Sequence, residues 1–185
     1  MADLYGSQDV TIRNDDGTVI AAVDADANAL SVITAQHYLI HEGKHFFCNN
    51  YLSGLSNGVS YDTLFISGTT LETHLRIFGK TLGGGRLEVR EAATTSNDGS
   101  GLSEYNYNRL SATTPTGTSF NAPTVTGTGT LISTILMGGA NGTTDNLING
   151  DYELILLKNT KYLFRFASTS GSNALTLTFN WYEVA

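Results

Sequence analysis

The sequence is poor in charge, in cysteine and in proline. Lys, Arg, Asp and Glu make up 15% of its 185 residues, against about a quarter in an ordinary soluble domain. Its polar surface must therefore come largely from Thr, Ser, Asn and Gly, a composition at home in β-rich structural and binding proteins. The 10 basic residues against 17 acidic ones leave a net charge of −7. That balance argues against gripping a phosphate backbone, which needs clustered Lys and Arg, so no nucleic-acid partner is expected. A single cysteine, Cys48, excludes an intramolecular disulfide. Its neighbours Phe46, Phe47 and Tyr51 make it a small buried hydrophobe rather than a reactive thiol. Apolar runs such as Leu154 to Leu157 fall far short of the ~20 residues of a membrane-crossing helix, so no membrane partner is expected. Met1-Ala2-Asp3-Leu4-Tyr5 shows neither the basic nor the apolar stretch of a secretory signal. Synthesis in the cytoplasm is the expectation. No segment sustains a helical period, and no repeat has a solenoid or propeller spacing.

What the chain does have is alternation. Leu175, Leu177, Phe179 and Trp181 alternate with Thr176, Thr178, Asn180 and Tyr182, the mark of a strand with one buried face. Tyr162, Phe164 and Phe166 alternate with Leu163, Arg165 and Ala167, and the small polar residues from Ser168 to Asn173 join the two runs. The pattern predicts a terminal antiparallel hairpin whose aromatic face, with the only Trp, forms half of a core. Further strands are expected at about 31–41, 45–53, 60–67, 71–79 and 85–92, at 130–137 and at 152–157. Glu42-Gly43-Lys44, Asn57-Gly58 and Gly83-Gly84-Gly85 are the turns between them. Leu71, Thr73, Leu75 and Ile77 face inward with Leu87 and Val89. Glu72, His74, Arg76, Arg86, Glu88 and Arg90 face water. Residues 93–129 are the least regular, with a short strand at Tyr105 to Arg109. The fold class read from this pattern is all-β: a β-sandwich, a jelly roll of about eight antiparallel strands, with a short N-terminal arm. Residues 1–29 form the arm, read as a small hairpin around Asn14-Asp15-Asp16-Gly17, and residues 30–185 the sandwich.

No catalytic constellation emerges, and the chain does not read as an enzyme. His37, His41 and His45 recur every four residues, but on a strand interrupted by a turn that spacing does not converge on a metal. The Gly triplet lacks the Gly-x-x-x-x-Gly-Lys pattern and following helix of a phosphate loop. Glu72, Glu88, Glu91 and Glu104 offer carboxylates for glycoside hydrolysis, yet no spacing selects two of them. No cofactor or metal is expected. Of the aromatics that could stack on a ligand (Tyr51, Tyr61, Tyr105, Tyr107 and Trp181), Trp181 is in phase with the core. Tyr105 and Tyr107, in a polar stretch, are the exposed candidates. Val10, Ile12 and Arg13 on the arm are the other candidate partner-binding residues, because a two-stranded arm needs a surface to lie on.

The run from Asn159 to Phe166, with Ser170-Gly171 and Leu175 to Glu183, resembles the C-terminal end of small tailed-phage virion proteins. So does the run from Ala35-Gln36-His37 through Lys44-His45-Phe46 to Leu64-Phe65-Ile66. The resemblance is to jelly-roll head decoration or cement proteins and covers most of residues 30–184. It implies a structural role on the phage head surface, with the major capsid protein and further copies of itself (a homotrimer or homodimer) as partners. It carries over no functional residue. The other reading the exposed tyrosines support is a glycan- or receptor-binding module of a phage fibre or tail.

Overall fold

The computed structural model describes residues 11–13, 19–24, 29–31, 35–138 and 147–185. The chain divides into two compact units, residues 1–39 and 40–185. In the first, β1 (Thr11–Arg13), β2 (Val19–Asp24) and β3 (Ala29–Ser31) form an antiparallel sheet in that order. Val10, one of the candidate arm residues, lies outside the described residues. Ile12 and Arg13 lie in β1, opposite Ala21 and Val19 of β2.

A short helix, α1 (Ala35–His41), stands where the alternation predicts the end of a strand over 31–41. At 7 residues it is too short to show a sustained helical period. Its end is set by Gly43, whose φ of +68° is one that glycine adopts without strain, and whose N–H donates back to Ile40 O at 3.0 Å.

The second unit is an all-β sandwich. Its long strands are β4 (His45–Leu55), β5 (Ser60–Ile66), β6 (Glu72–Thr81) and β7 (Gly85–Glu91). After β7 come the short β8 (Thr94–Asn97), β9 (Ser100–Gly101), β10 (Tyr105–Asn106), β11 (Thr118–Asn121) and β12 (Thr124–Gly127). Long strands resume with β13 (Thr130–Met137), β14 (Leu147–Leu156), β15 (Lys161–Ser168) and β16 (Asn173–Val184). One sheet runs β10-β4-β16-β6-β14 and the other β13-β7-β15-β5-β11-β9, antiparallel throughout. Phe46, Ile77, Phe179 and Trp181 of the first sheet meet Phe65, Leu87, Phe164 and Phe166 of the second in one buried cluster. Phe65 stands edge-on to Trp181 at 5.2 Å between ring centroids, and Phe164 lies 4.5 Å from Phe179. Cys48, fully buried among them, has its thiol pushed up to about 11 by burial.

This order corrects the terminal hairpin. β15 and β16 do not pair with each other. They lie in opposite sheets and face each other across the core. Both runs have an apolar face, and two apolar faces bury more surface against each other than side by side. The Gly83–Gly85 connection likewise passes between sheets. It is clasped by the buried Asn173, whose Oδ1 accepts from Gly83 N at 2.6 Å and whose Nδ2 donates to Gly84 O at 3.0 Å.

The stretch read as irregular, residues 93–129, holds a second correction. β8 and β12 pair into a two-stranded ribbon. Each is entered through an alanine at positive φ, Ala92 at 58° and Ala122 at 53°, and each alanine is followed at the same spacing by a glycine, Gly99 or Gly129. The two corners interlock. A Cβ on Gly99 would stand 2.2 Å from Asn121 O, and one on Gly129 2.1 Å from Glu91 O, with φ of +68° at Gly129. Gly129→Ala is therefore expected to cost about 1–3 kcal/mol in chemical denaturation. Gly171→Ala, where a Cβ meets open space, should be near neutral.

Lys161 Nζ reaches Asp98 and Thr95 of the β8 segment, and Arg90 reaches Thr128. These bonds tie the ribbon segments to the outer face of the six-stranded sheet, where Leu64 and Leu163 are fully buried side by side. Glu88 departs from its expected solvated position. It keeps to that outer face but is 7% exposed, held between Arg86 and Arg90 at 2.8 Å each.

Candidate functional site

The outer face of the five-stranded sheet carries a row of aromatic and polar side chains, one strand after another. Tyr105 on β10 stands opposite Phe47 on β4, Phe47 opposite Asn180 on β16, Asn180 opposite Arg76 on β6, and Arg76 opposite Glu153 on β14. A second row lies beside it: His45, Tyr182 and His74. These residues have the opposite parity to Phe46, Cys48, Leu75 and Trp181, which is why they point away from the core.

The tyrosines are set by Tyr105-Asn106-Tyr107-Asn108, in which tyrosine and asparagine alternate. The asparagines hold backbone. Asn106 Nδ2 donates to Gly43 O at 2.7 Å and Thr113 O at 3.1 Å, and Asn108 Nδ2 to His41 O at 3.1 Å. The strand predicted over Tyr105 to Arg109 is cut to two residues: Tyr107 N still donates to His45 O at 2.9 Å, but Asn108 N turns to Asn106 Oδ1 at 2.8 Å instead of to the ladder. The tyrosines are left on the sheet face, 43% and 39% exposed. Their rings lie 5.6 and 4.8 Å from Phe47, and the Arg109 guanidinium sits 5.1 Å over Tyr105.

Beneath the rings the polar groups satisfy one another. Asn180 Nδ2 donates to Tyr107 OH at 2.8 Å, which leaves its Oδ1 to accept from His45 Nε2. Glu153 accepts from Tyr182 OH at 2.7 Å, His74 Nδ1 at 3.1 Å and Arg76 Nε at 2.7 Å. Burial alone would raise the Glu153 pKa, but those hydrogen bonds outweigh it and the net direction is down. Burial and the bond to Glu153 push the Tyr182 hydroxyl up to about 12. His74 stacks on Tyr182 at 4.5 Å. The result is a rigid, internally bonded floor with a rim of half-exposed rings.

His45 is the weak point of that floor. It is 2% exposed, its Nδ1 has no hydrogen-bond partner, and burial holds its pKa below the ordinary range despite the bond to Asn180. A histidine in the unfolded chain takes up a proton near pH 6.5, whereas the folded one does so only at lower pH. Just below pH 6.5 the unfolded state thus binds more protons, and stability falls as pH drops through that window. The melting temperature should decline from about pH 7 to about pH 5.5, and His45→Gln should flatten the decline. An equally steep decline in the variant would assign the proton elsewhere.

No protein-family model, curated protein or solved structure matches the chain.

Of the other side chains singled out in the sequence, Tyr51 on β4 and Glu72 on β6 share the parity of this face. His37 and His41 sit on α1 while His45 opens β4, and among the described residues no three His, Cys, Asp or Glu side chains group to hold a metal. The four glutamates take separate partners. Glu91 accepts from Tyr162 OH, Glu104 from Ser119, Glu88 from its arginines, and Glu72 lies 3.9 Å from His74. Tyr51 is exposed on β4, and Trp181 is fully buried.

The glutamate that sequence reasoning passed over is Glu183. It shares the parity of Trp181, which is the signal that places it inside. It is 2% exposed beside a pocket of about 330 Å³ walled in part by Phe46 and Leu71. Its carboxylate accepts from Thr116 N and Oγ1, Gly117 N and Trp181 Nε1, at 2.8 to 3.1 Å. A carboxylate so fully occupied anchors the 116–117 loop and has its acceptor sites taken up within the chain.

Proposed function

We propose that this chain is a structural protein of a phage particle, a capsid decoration or cement protein that lies on the outside of the shell and bridges major capsid subunits. The observation that carries the reading is the aromatic row. Its polar groups are bonded within the chain, so a small polar ligand would have to break those bonds to be recognised. Half-exposed tyrosines on an internally bonded sheet face are instead the kind of anchors that protein interfaces use.

Two further features support it. Taken in chain order, the long strands change sheet at every step except from β7 to β13, and their sheet orders β4-β16-β6-β14 and β13-β7-β15-β5 favour reading the sandwich as a jelly roll. The resemblance to decoration proteins over most of residues 30–184 points the same way. Bound copies would stabilise the shell by mass action, and a self-associated form would gain by avidity.

Tyr105→Ala tests the assignment of the face. In pelleting with shells stripped of accessory proteins, it is expected to weaken binding about 30-fold, the effect of losing an interface anchor of about 2 kcal/mol. Unchanged pelleting would remove the row from the interface. Glycan binding that the same substitution abolishes would transfer the reading to a fibre or tail module.

A further inference from the structure

The histidine beneath the aromatic row has a place for a proton and no partner for it. His45 opens β4 and is almost fully buried. Asn180 decides which of its ring nitrogens carries hydrogen. The Asn180 amide donates to Tyr107 OH at 2.8 Å, so its oxygen is left to accept from His45 Nε2–H. A neutral imidazole protonated on Nε2 has a bare lone pair on Nδ1. That atom is buried without a hydrogen-bond partner. A proton arriving there makes a buried N–H with no acceptor, on a ring that has become a cation.

The surroundings supply no counter-ion in contact with the ring. Glu153 favours the charged imidazole from a distance, but its oxygens already accept from Tyr182, His74 and Arg76. Arg76 on β6 opposes the charge. Tyr182 meets the imidazole edge-on at 6.1 Å and itself stacks on His74. Along the chain, His41 ends α1, and Glu42 and Lys44 pair with each other at 3.9 Å. Glu183, whose N–H donates to Lys44 O, turns its carboxylate to Thr116 and Gly117. The half-exposed Tyr107 ring packs on the imidazole at 4.7 Å between centroids. The backbone beneath it is held, with Tyr107 N donating to His45 O at 2.9 Å, so it is the ring that can turn. Its hydroxyl is tied down by Asn180, the same residue that holds His45.

We propose that Tyr107 is a proton-operated gate on the aromatic row: when Nδ1 of His45 takes a proton from solvent, the imidazolium turns toward water, Asn180 releases the Tyr107 hydroxyl, and the ring leaves the sheet face. The new N–H is the one covalent bond formed. The open row lacks one of its tyrosine anchors, so acid releases a partner seated on the closed row. The closed row binds one proton fewer than the open one. Affinity is therefore full near neutral pH and falls below the His45 midpoint, by up to about tenfold per pH unit. Burial sets that midpoint below the ordinary histidine range. The ring movement stands apart from the capsid reading, whereas its effect on shell binding rests on that reading.

Nuclear magnetic resonance of the full chain, with 13C in its histidine and tyrosine rings and Tyr107 assigned through Tyr107→Phe, tests the gate. Between about pH 7.5 and about pH 5, the Tyr107 ring signals are expected to shift with the same midpoint as those of His45, while those of the buried Tyr162 stay in place. In pelleting with stripped shells over the same range, wild-type affinity is expected to fall about tenfold. That of His45→Gln, which can donate to Asn180 but takes up no proton, should stay level. A Tyr107 ring that does not follow His45, or a His45 ring that stays neutral until the chain unfolds, would overturn the gate. Binding that falls as steeply in a folded His45→Gln as in the wild type would overturn its control of the interface. Coupled ring movements in a chain that pellets with shells at no pH would sustain the gate and reject the capsid role.

Discussion

Replacing Trp181 with alanine is expected to destabilise the sandwich by about 3–5 kcal/mol, the cost of emptying a large core position. The indole is fully buried on β16 and packs against a tilted Phe46 and an edge-on Phe65, at 5.8 and 5.2 Å between ring centroids. Those rings belong to strands in opposite sheets, so the cavity would open between the layers, where no single strand can shift to fill it. The substitution also removes the Nε1–H that donates to Glu183 at 3.1 Å. Urea denaturation checks the figure. A loss below about 1 kcal/mol, the range of surface substitutions, would contradict the packing described for the core.

Glu183→Ala is expected to be nearly as damaging, at about 3 kcal/mol or more. It strands Thr116 N, Gly117 N and Trp181 Nε1 together, and each bond lost to a charged acceptor is worth about 1.5–3 kcal/mol. Glu183→Gln should be intermediate, since the amide keeps one acceptor oxygen while its NH2 group faces donors. The expected order of stability is wild type, then Gln, then Ala. Equal stability of the Gln and Ala variants would mean that the loop containing Thr116 and Gly117 finds other partners when released.

Period-two alternation read faces well and neighbours poorly. It put Leu175, Leu177, Phe179 and Trp181 inside and Arg76 and Tyr182 outside, and the structure places them so. It could not say which sheet a strand joins, because a buried face looks the same whether its partner lies beside it or across the core. That is why β15 and β16 read as a hairpin. The ribbon of β8 and β12 was hidden for another reason. Its signature is a pair of alanines in a left-handed conformation, Ala92 and Ala122, which residue identity does not announce. The candidate site was half legible. Tyr105 and Tyr107 stood out as aromatics in a polar stretch, and both line the outer face. Their companions Phe47, Asn180 and Glu153 come from strands far apart in sequence, and only the register of β10, β4, β16, β6 and β14 brings them into one row.

The measurement closest to the centre of this account is co-sedimentation of the purified chain with mature phage shells stripped of their accessory proteins. Saturable binding at a fixed ratio to the major capsid protein is the expected result, and the ratio would indicate which symmetry axis the chain occupies. A folded chain that remains in the supernatant at every concentration would contradict the decoration role.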